Sequence, residues 1–312
     1  MQLTGIHHLT AISARPRDNL AFYTGLLGMR LVKKTVNQDD VSAYHLFYAD
    51  GKANPGTDLT FFDFPAAPEQ RGTNSISRTG LRVSGEATLG YWRDRLKQAG
   101  GVTGDVVEVD GRLTLPFEDG EGQRLVLVDD GGAGSSAPWQ CSPVPEQHQI
   151  RGLGPIVLTV HELTRTAFVL TEVMNMPRTR LCRARRADSR VRVWRRRSGR
   201  GTACDRAKRC AAGAAGRGRR ASRRLPHAGR DAIPRLDAAA DRASHSQQRR
   251  SRSLLLPQPL FREPNGILFE IATDGPGFAT DEPMDMLGEK LALPPFLEPR
   301  RREIEARLKP IG

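Results

Sequence analysis

Two adjacent histidines, His7 and His8, stand in the run GIHHLTAI (5–12), and a lone carboxylate, Glu270, stands in the apolar run ILFEIA (267–272). GIHHLTAI alternates like a β-strand, where successive side chains face opposite sides, so one imidazole turns toward a cavity and the other away. A carboxylate inside a strand such as ILFEIA is costly to bury unless a metal or a strong hydrogen bond meets it. An imidazole and a carboxylate on facing strands are two parts of a two-histidine, one-carboxylate set, which leaves positions open on Fe(II) for substrate and dioxygen. Each residue also has a plainer reading, a structurally satisfied strand histidine and a glutamate at a strand rim. Spacing alone does not choose between them.

The elements that must hold these residues repeat along the chain. In residues 5–63 the strand GIHHLTAI is followed by helical spacing of Leu20, Phe22, Tyr23, Leu26 and Leu27 up to Gly28, then by three strands, MRLVKKTV, AYHLFYAD and TDLTFFDF. This βαβββ order returns as TGLRVS (79–84), a helix through LGYWRDRLKQAG (89–100), and VVEVDG, RLTLPF and RLVLVDD. It begins a third time at GPIVLTV (154–160) with the helical HELTRTAFVLTEVMNM, and its last part reappears as LFREPNGILFEIATD (260–274). Four modules in two pairs follow. The predicted class is α+β, with residues 1–132 as a first domain of two modules, 133–150 as a Gly/Ser/Pro-rich linker, 151–274 as a second, disrupted domain, and 275–312 as a C-terminal extension.

The composition bounds the function. The 312-residue chain is 38% hydrophobic, with no apolar run long enough for a membrane span and no signal-peptide pattern, so a cytoplasmic location is expected. Four cysteines, Cys141, Cys182, Cys204 and Cys210, are too few and too unevenly spaced for a disulfide framework. The net charge of +13 belongs to one segment. From Leu181 to Ser253 there are 23 Lys and Arg against 5 Asp and no Glu, while the rest of the chain holds 25 basic and 30 acidic residues. That segment has neither the aromatic interleaving nor the motifs of a specific nucleic-acid binder, and Cys182, Cys204, Cys210 and His227 lack zinc-site spacing. It also lacks periodicity and Phe or Tyr, a composition expected to be disordered. RRREIEARLK near the C-terminus reads as a solvated helix.

GIHHLTAI followed by RDNLAFYTGLLGM, then KKTVNQDD, YHLFYAD, NPGTDLTFFDFP and finally FREPNGILFEIATDGPGF, resembles the ring-cleaving dioxygenase branch of the vicinal-oxygen-chelate (glyoxalase/bleomycin resistance/dioxygenase) superfamily. The likeness covers residues 1–177 and 260–312. It implies two domains of paired βαβββ modules, an active site between the first and fourth modules, and dioxygen-dependent cleavage of a hydroquinone- or catechol-like ring. It further implies an iron(II) site, with manganese(II) as the other candidate, in which His8 and Glu270 are ligands and catalytic residues. His7, Tyr44 and His45 are expected to line the substrate pocket. The second module offers Val126 in the comparable strand and no histidine in TGLRVS, so no duplicate metal site is expected. The implied partners are a small aromatic substrate and O2, without specific nucleic acid or membrane, and a homo-oligomer is left open. A glyoxalase-type isomerase or lyase and a non-catalytic small-molecule-binding protein are the alternatives.

The resemblance also calls for a second metal histidine on a strand like Val-His-His-Val-Ala-Phe-Arg, and the chain has none. Its place is expected near Ala221 and Ser222, where residues 220–226 read Arg-Ala-Ser-Arg-Arg-Leu-Pro. Nucleotides that encode this stretch can, read one base later, encode Val-His-His-Val-Ala-Phe, and residues 251–260 convert in the same way to a strand leading into FREPNG. The expectation is that residues 178–260 are an out-of-frame translation between two compensating indels. Loss of one imidazole should then impair iron binding and turnover.

Overall fold

The structure, a computed structural model, describes residues 3–176, 182–183, 189–193, 208–213 and 260–311. The first module folds as β1 (Leu3–Ser13), a helix from Pro16 to Leu20, then β2 (Arg30–Val36), β3 (Tyr44–Ala49) and β4 (Asp58–Asp63). Pro16 opens the helix, where its missing N–H costs nothing. The helix then widens into a π turn over Ala21–Leu26, closed by Leu27 N–H donating to Phe22 O at 2.9 Å. The second module is β5 (Ser75–Val83), α2 (Glu86–Gln98), β6 (Val107–Val109), β7 (Arg112–Glu118) and β8 (Arg124–Asp129). The third opens with β9 (Leu153–Val160) and a helix Leu163–Phe168 that again runs into a π turn, and its described remainder is β10 (Cys182–Arg183) and β11 (Ser189–Val193). β12 (Lys208–Gly213), β13 (Leu260–Arg262) and β14 (Leu268–Thr273) follow, and a helix at Arg301–Arg307 carries the charge-alternating segment.

These strands form two seven-stranded sheets. Sheet A runs β13-β14-β12-β1-β4-β3-β2 and joins the first module to the chain's last strands; sheet B runs β10-β11-β9-β5-β8-β7-β6 and joins the second module to the third. Both sheets therefore cross the linker at residues 133–150. This is the α+β class of tandem βαβββ modules that the repeats predict, but each sheet takes strands from both sides of the linker, so the expected grouping of 1–132 and 151–274 into separate domains is not the grouping of the sheets.

Strand direction separates the two sheets. Within modules one and two the first and last strands are parallel (β1 with β4, β5 with β8), and across modules β5 and β9 are antiparallel. β12 breaks both rules, pairing parallel with β1 and antiparallel with β14.

The core lies on the helix-covered faces. Tyr23, Tyr48 and Phe61 are at most 2% exposed and pack ring on ring, Tyr23 lying 5.2 Å from Tyr48 and 4.7 Å from Phe61. Their hydroxyls are satisfied, Tyr23 donating to Asp119 and Tyr48 to Asn19, as buried phenols require. Residues 133–150 are tied down rather than loose. The Gln149 amide bonds the backbone of Trp139 and Val144, Ser142 donates to Gly28 O, and Gly51 passes so close to Pro138 that a Cβ there would meet its carbonyl. Among the described residues no helix is long and apolar enough to cross a membrane.

Candidate functional site

His8 and Glu270 converge on one face of sheet A, His8 Nε2 lying 3.6 Å from Glu270 Oε2 with both side chains largely buried. They stand on β1 and β14, one strand apart, with β12 between them. Ala211 of β12 pairs with Glu270, so an alanine occupies the register position beside the carboxylate. His7 does not simply face away. The register of β1 against β12 shifts between Ile6 and Leu9, and this irregularity brings the two imidazoles together, edge to face, with Nδ1 atoms 3.1 Å apart. A hydrogen bond there holds one ring as donor and the other as acceptor, which fixes the orientation of both.

The floor of the face comes from β4 and β3. Register pairs His8 with Asp58, Thr10 with Thr60 and Ile12 with Phe62, and β3 adds Phe47 beside Thr60 and His45 beside Phe62. The Thr60 hydroxyl links Thr10 (3.0 Å) to His45 Nε2 (3.2 Å). The His45 ring lies between Phe47 and Phe62, each centroid 3.9 Å away. Burial, helped by the positive charge of His8, holds His45 well below the usual histidine range, which keeps it neutral. Burial pulls His8 the other way from its final position: desolvation lowers it, but the Glu270 carboxylate and the charge on Asp58 outweigh that and raise it. Asp58 is 3% exposed, and burial raises its carboxyl to about 7 against the opposing pull of His8.

Of the residues expected at the site, His8, Glu270, His7 and His45 are brought to this region. Tyr44 is not: it precedes His45 on β3, so alternation turns it to the opposite, core face, where it is buried and feels Asp63 and Glu305. Ala221 and Ser222 lie outside the described residues, as does most of the anomalous segment 178–260. Sequence reasoning passed over Asp58, although it sits in an apolar strand, TDLTFFDF, as Glu270 does. It also passed over Thr10, Thr60, Phe47 and Phe62, whose signal is only their shared strand parity with His8 and His45.

The donors fit a metal only in part. Imidazole and carboxylate suit a divalent transition metal, but among the described residues no group of three His, Cys, Asp or Glu could hold one. Two converging donors are an incomplete set for a two-histidine, one-carboxylate centre.

Residues 5–172 match the profile of the Glyoxalase/Bleomycin resistance protein/Dioxygenase superfamily. The chain belongs to this superfamily. Within it, the chain is 43% identical over all of its length and all of the relative's to a Bacillus subtilis protein named "Putative ring-cleaving dioxygenase MhqA". It is 28% identical, over 48% of each chain, to the Chlorohydroquinone/hydroquinone 1,2-dioxygenase of Sphingobium indicum. A crystal structure of a Bacillus subtilis protein, named a "putative dioxygenase", superposes with a TM-score of 0.71 at 31% identity, covering 100% of this chain and 98% of the other. For this superfamily member the likeness spans the whole fold, including the strands that carry His8 and Glu270.

Proposed function

We propose that this chain has the framework of a ring-cleaving dioxygenase for hydroquinone- or catechol-like aromatics, with an iron(II) site, or manganese(II) in its place, reduced to His8 and Glu270. The observation that carries the reading is the approach of His8 and Glu270 to 3.6 Å from strands at opposite ends of the sequence, on the face that also gathers His45 and Asp58. The names of two relatives, one a "Putative ring-cleaving dioxygenase" and one a chlorohydroquinone/hydroquinone 1,2-dioxygenase, support it. In a complete site of this kind His8 and Glu270 would help to hold the metal, which would supply Lewis-acid chemistry toward a substrate oxygen. This chain's own residues contribute two donors, an imidazole pair in contact, a buried carboxyl, Asp58, in register with His8, and a neutral His45 on Thr60.

Losing one of three protein ligands leaves the metal weakly held. The purified chain, titrated with Fe(II) under anaerobic conditions, is expected to bind well below one equivalent, and its oxygen uptake with hydroquinone should stay near background. Stoichiometric iron with ring-cleaved product would overturn the impairment. Metal-dependent turnover of a substrate without oxygen uptake would replace dioxygenase chemistry with that of a metal-dependent isomerase or lyase.

A further inference from the structure

The segment after β14 returns across sheet A and is fastened to the edge strand β2 by two buried cations. Lys33, 9% exposed, meets Asp281 at 2.6 Å and Glu282 at 2.7 Å. Arg30, 8% exposed, donates to Gly51 O and to Met284 O at 2.8 and 2.6 Å. Gly288, at φ +77°, packs against the Leu31 carbonyl so closely that no Cβ could be added. A buried Lys and Arg spent on one irregular stretch fix it firmly, because without it Lys33 would be an uncompensated buried charge and Arg30 would lose one of its two carbonyl acceptors.

What these anchors hold in place is Phe278. Its ring packs edge to face on Phe47, centroids 5.4 Å apart, beside Val32, Ala49 and Leu287. Phe47 shares the His8 face of the sheet, since it pairs with Thr60 on β4 and Thr60 pairs with Thr10 on β1. Two strand spacings, about 10 Å, separate Phe47 from β1. The floor between them, Thr10, Thr60 and Asp58, is polar. A wall of aromatic rings on one side, an imidazole and a carboxylate on the other, and hydroxyls beneath suit a flat apolar ring that carries hydroxyl groups.

We propose that Phe278, held by the Lys33 and Arg30 anchors and backed by Phe47, is the wall that limits the bound aromatic to a single ring, and so sets specificity. The inference rests on the ring-cleaving reading above. It does not require metal, because the wall and floor are protein.

The test is anaerobic calorimetry on the full chain with hydroquinone and 1,4-dihydroxynaphthalene as probes. Hydroquinone is expected to bind the unaltered chain more tightly than the two-ring diol. Phe278→Ala should weaken hydroquinone about 5- to 10-fold, the scale of one lost aromatic contact, and tighten the two-ring diol, reversing or flattening the preference. The double change Asp281→Asn with Glu282→Gln, which frees Lys33 without touching the wall, should shift the preference the same way. An unchanged preference in Phe278→Ala, with its melting temperature intact, overturns the wall while leaving the ring-cleaving reading standing. If neither diol binds the unaltered chain, the wall falls, and the ring-cleaving reading is decided separately by the iron titration and oxygen uptake.

Discussion

Asp58 stands in register with His8, 3% exposed, with a carboxyl oxygen that has no hydrogen-bond partner. Burial makes that carboxyl keep its proton to well above its ordinary range, and the consequence is a stability that depends on pH. Its ordinary value is 3.8 and its folded value about 7. Between those values the folded chain keeps a proton that the unfolded chain has lost. Stability therefore falls as pH rises through that window and is flat above it, by on the order of 2–4 kcal/mol. Asp58→Asn removes the penalty: with a chelator present, it should raise the melting temperature at pH 8 by several degrees and change it little at pH 4. Equal shifts at both pH values would show that Asp58 is not held protonated. The site was legible here wherever a residue type contradicted its strand. Glu270 in ILFEIA and the His7-His8 pair were visible for that reason, and Asp58 offered the same signal. Tyr44 was misplaced because it neighbours His45 in sequence, while strand parity puts neighbours on opposite faces. The contact between His7 and His8 was not legible, since it depends on an irregularity in β1 that no composition announces.

At the scale of elements, β14 holds Glu270 through the turn that precedes it. Glu263, 2% exposed, accepts from the Thr166 hydroxyl at 2.6 Å, from Asn265 at 3.3 Å and from Ile267 N–H at 3.1 Å. Asn265 in turn bonds both the N–H and the C=O of Glu162, which ties the hairpin to the start of the third module's helix. Glu263→Ala would leave several buried donors unpaired and should cost roughly 3 kcal/mol, read as a lower urea midpoint, whereas Glu263→Gln should retain part of it. An unmoved midpoint in Glu263→Ala would mean that the hairpin is held by β14 pairing alone. Most elements could be read from the sequence because period and punctuation agreed, as in β2 to β4 and β7 to β8. The pairing of modules across the linker could not be read from period and spacing, because it is decided by which apolar faces meet; only the resemblance, with its site between the first and fourth modules, implied it. β12 is the exception that carries information. The internal repeat calls for a strand antiparallel to β1 and parallel to β14, and the strand found there runs the other way, with alanine beside Glu270. That reversal is what a foreign segment pairing with two open strand edges would produce.

Across the whole molecule, charge divides where the repeating sequence pattern does. Residues 181–253 carry 23 Lys and Arg against 5 acidic residues, and the remainder, which holds the recognisable modules, has 25 basic against 30 acidic. A family member whose relative matches it over the full length of both chains has no evident need for so basic a stretch within that length. We infer that codons 178–260 are read out of frame, and the inference makes two coupled predictions. Shifting the frame by one base across those codons should restore a Val-His-His-Val strand and raise Fe(II) binding to one equivalent with hydroquinone-dependent oxygen uptake. The same change should abolish retention on a polyphosphate matrix, which for the present chain is expected and should vanish steeply with salt, as release of counterions from many weak contacts requires. A restored chain that binds no more iron than the present one would refute the frame reading. Gene sequence whose codons cannot yield the two histidines would refute it without any protein being made.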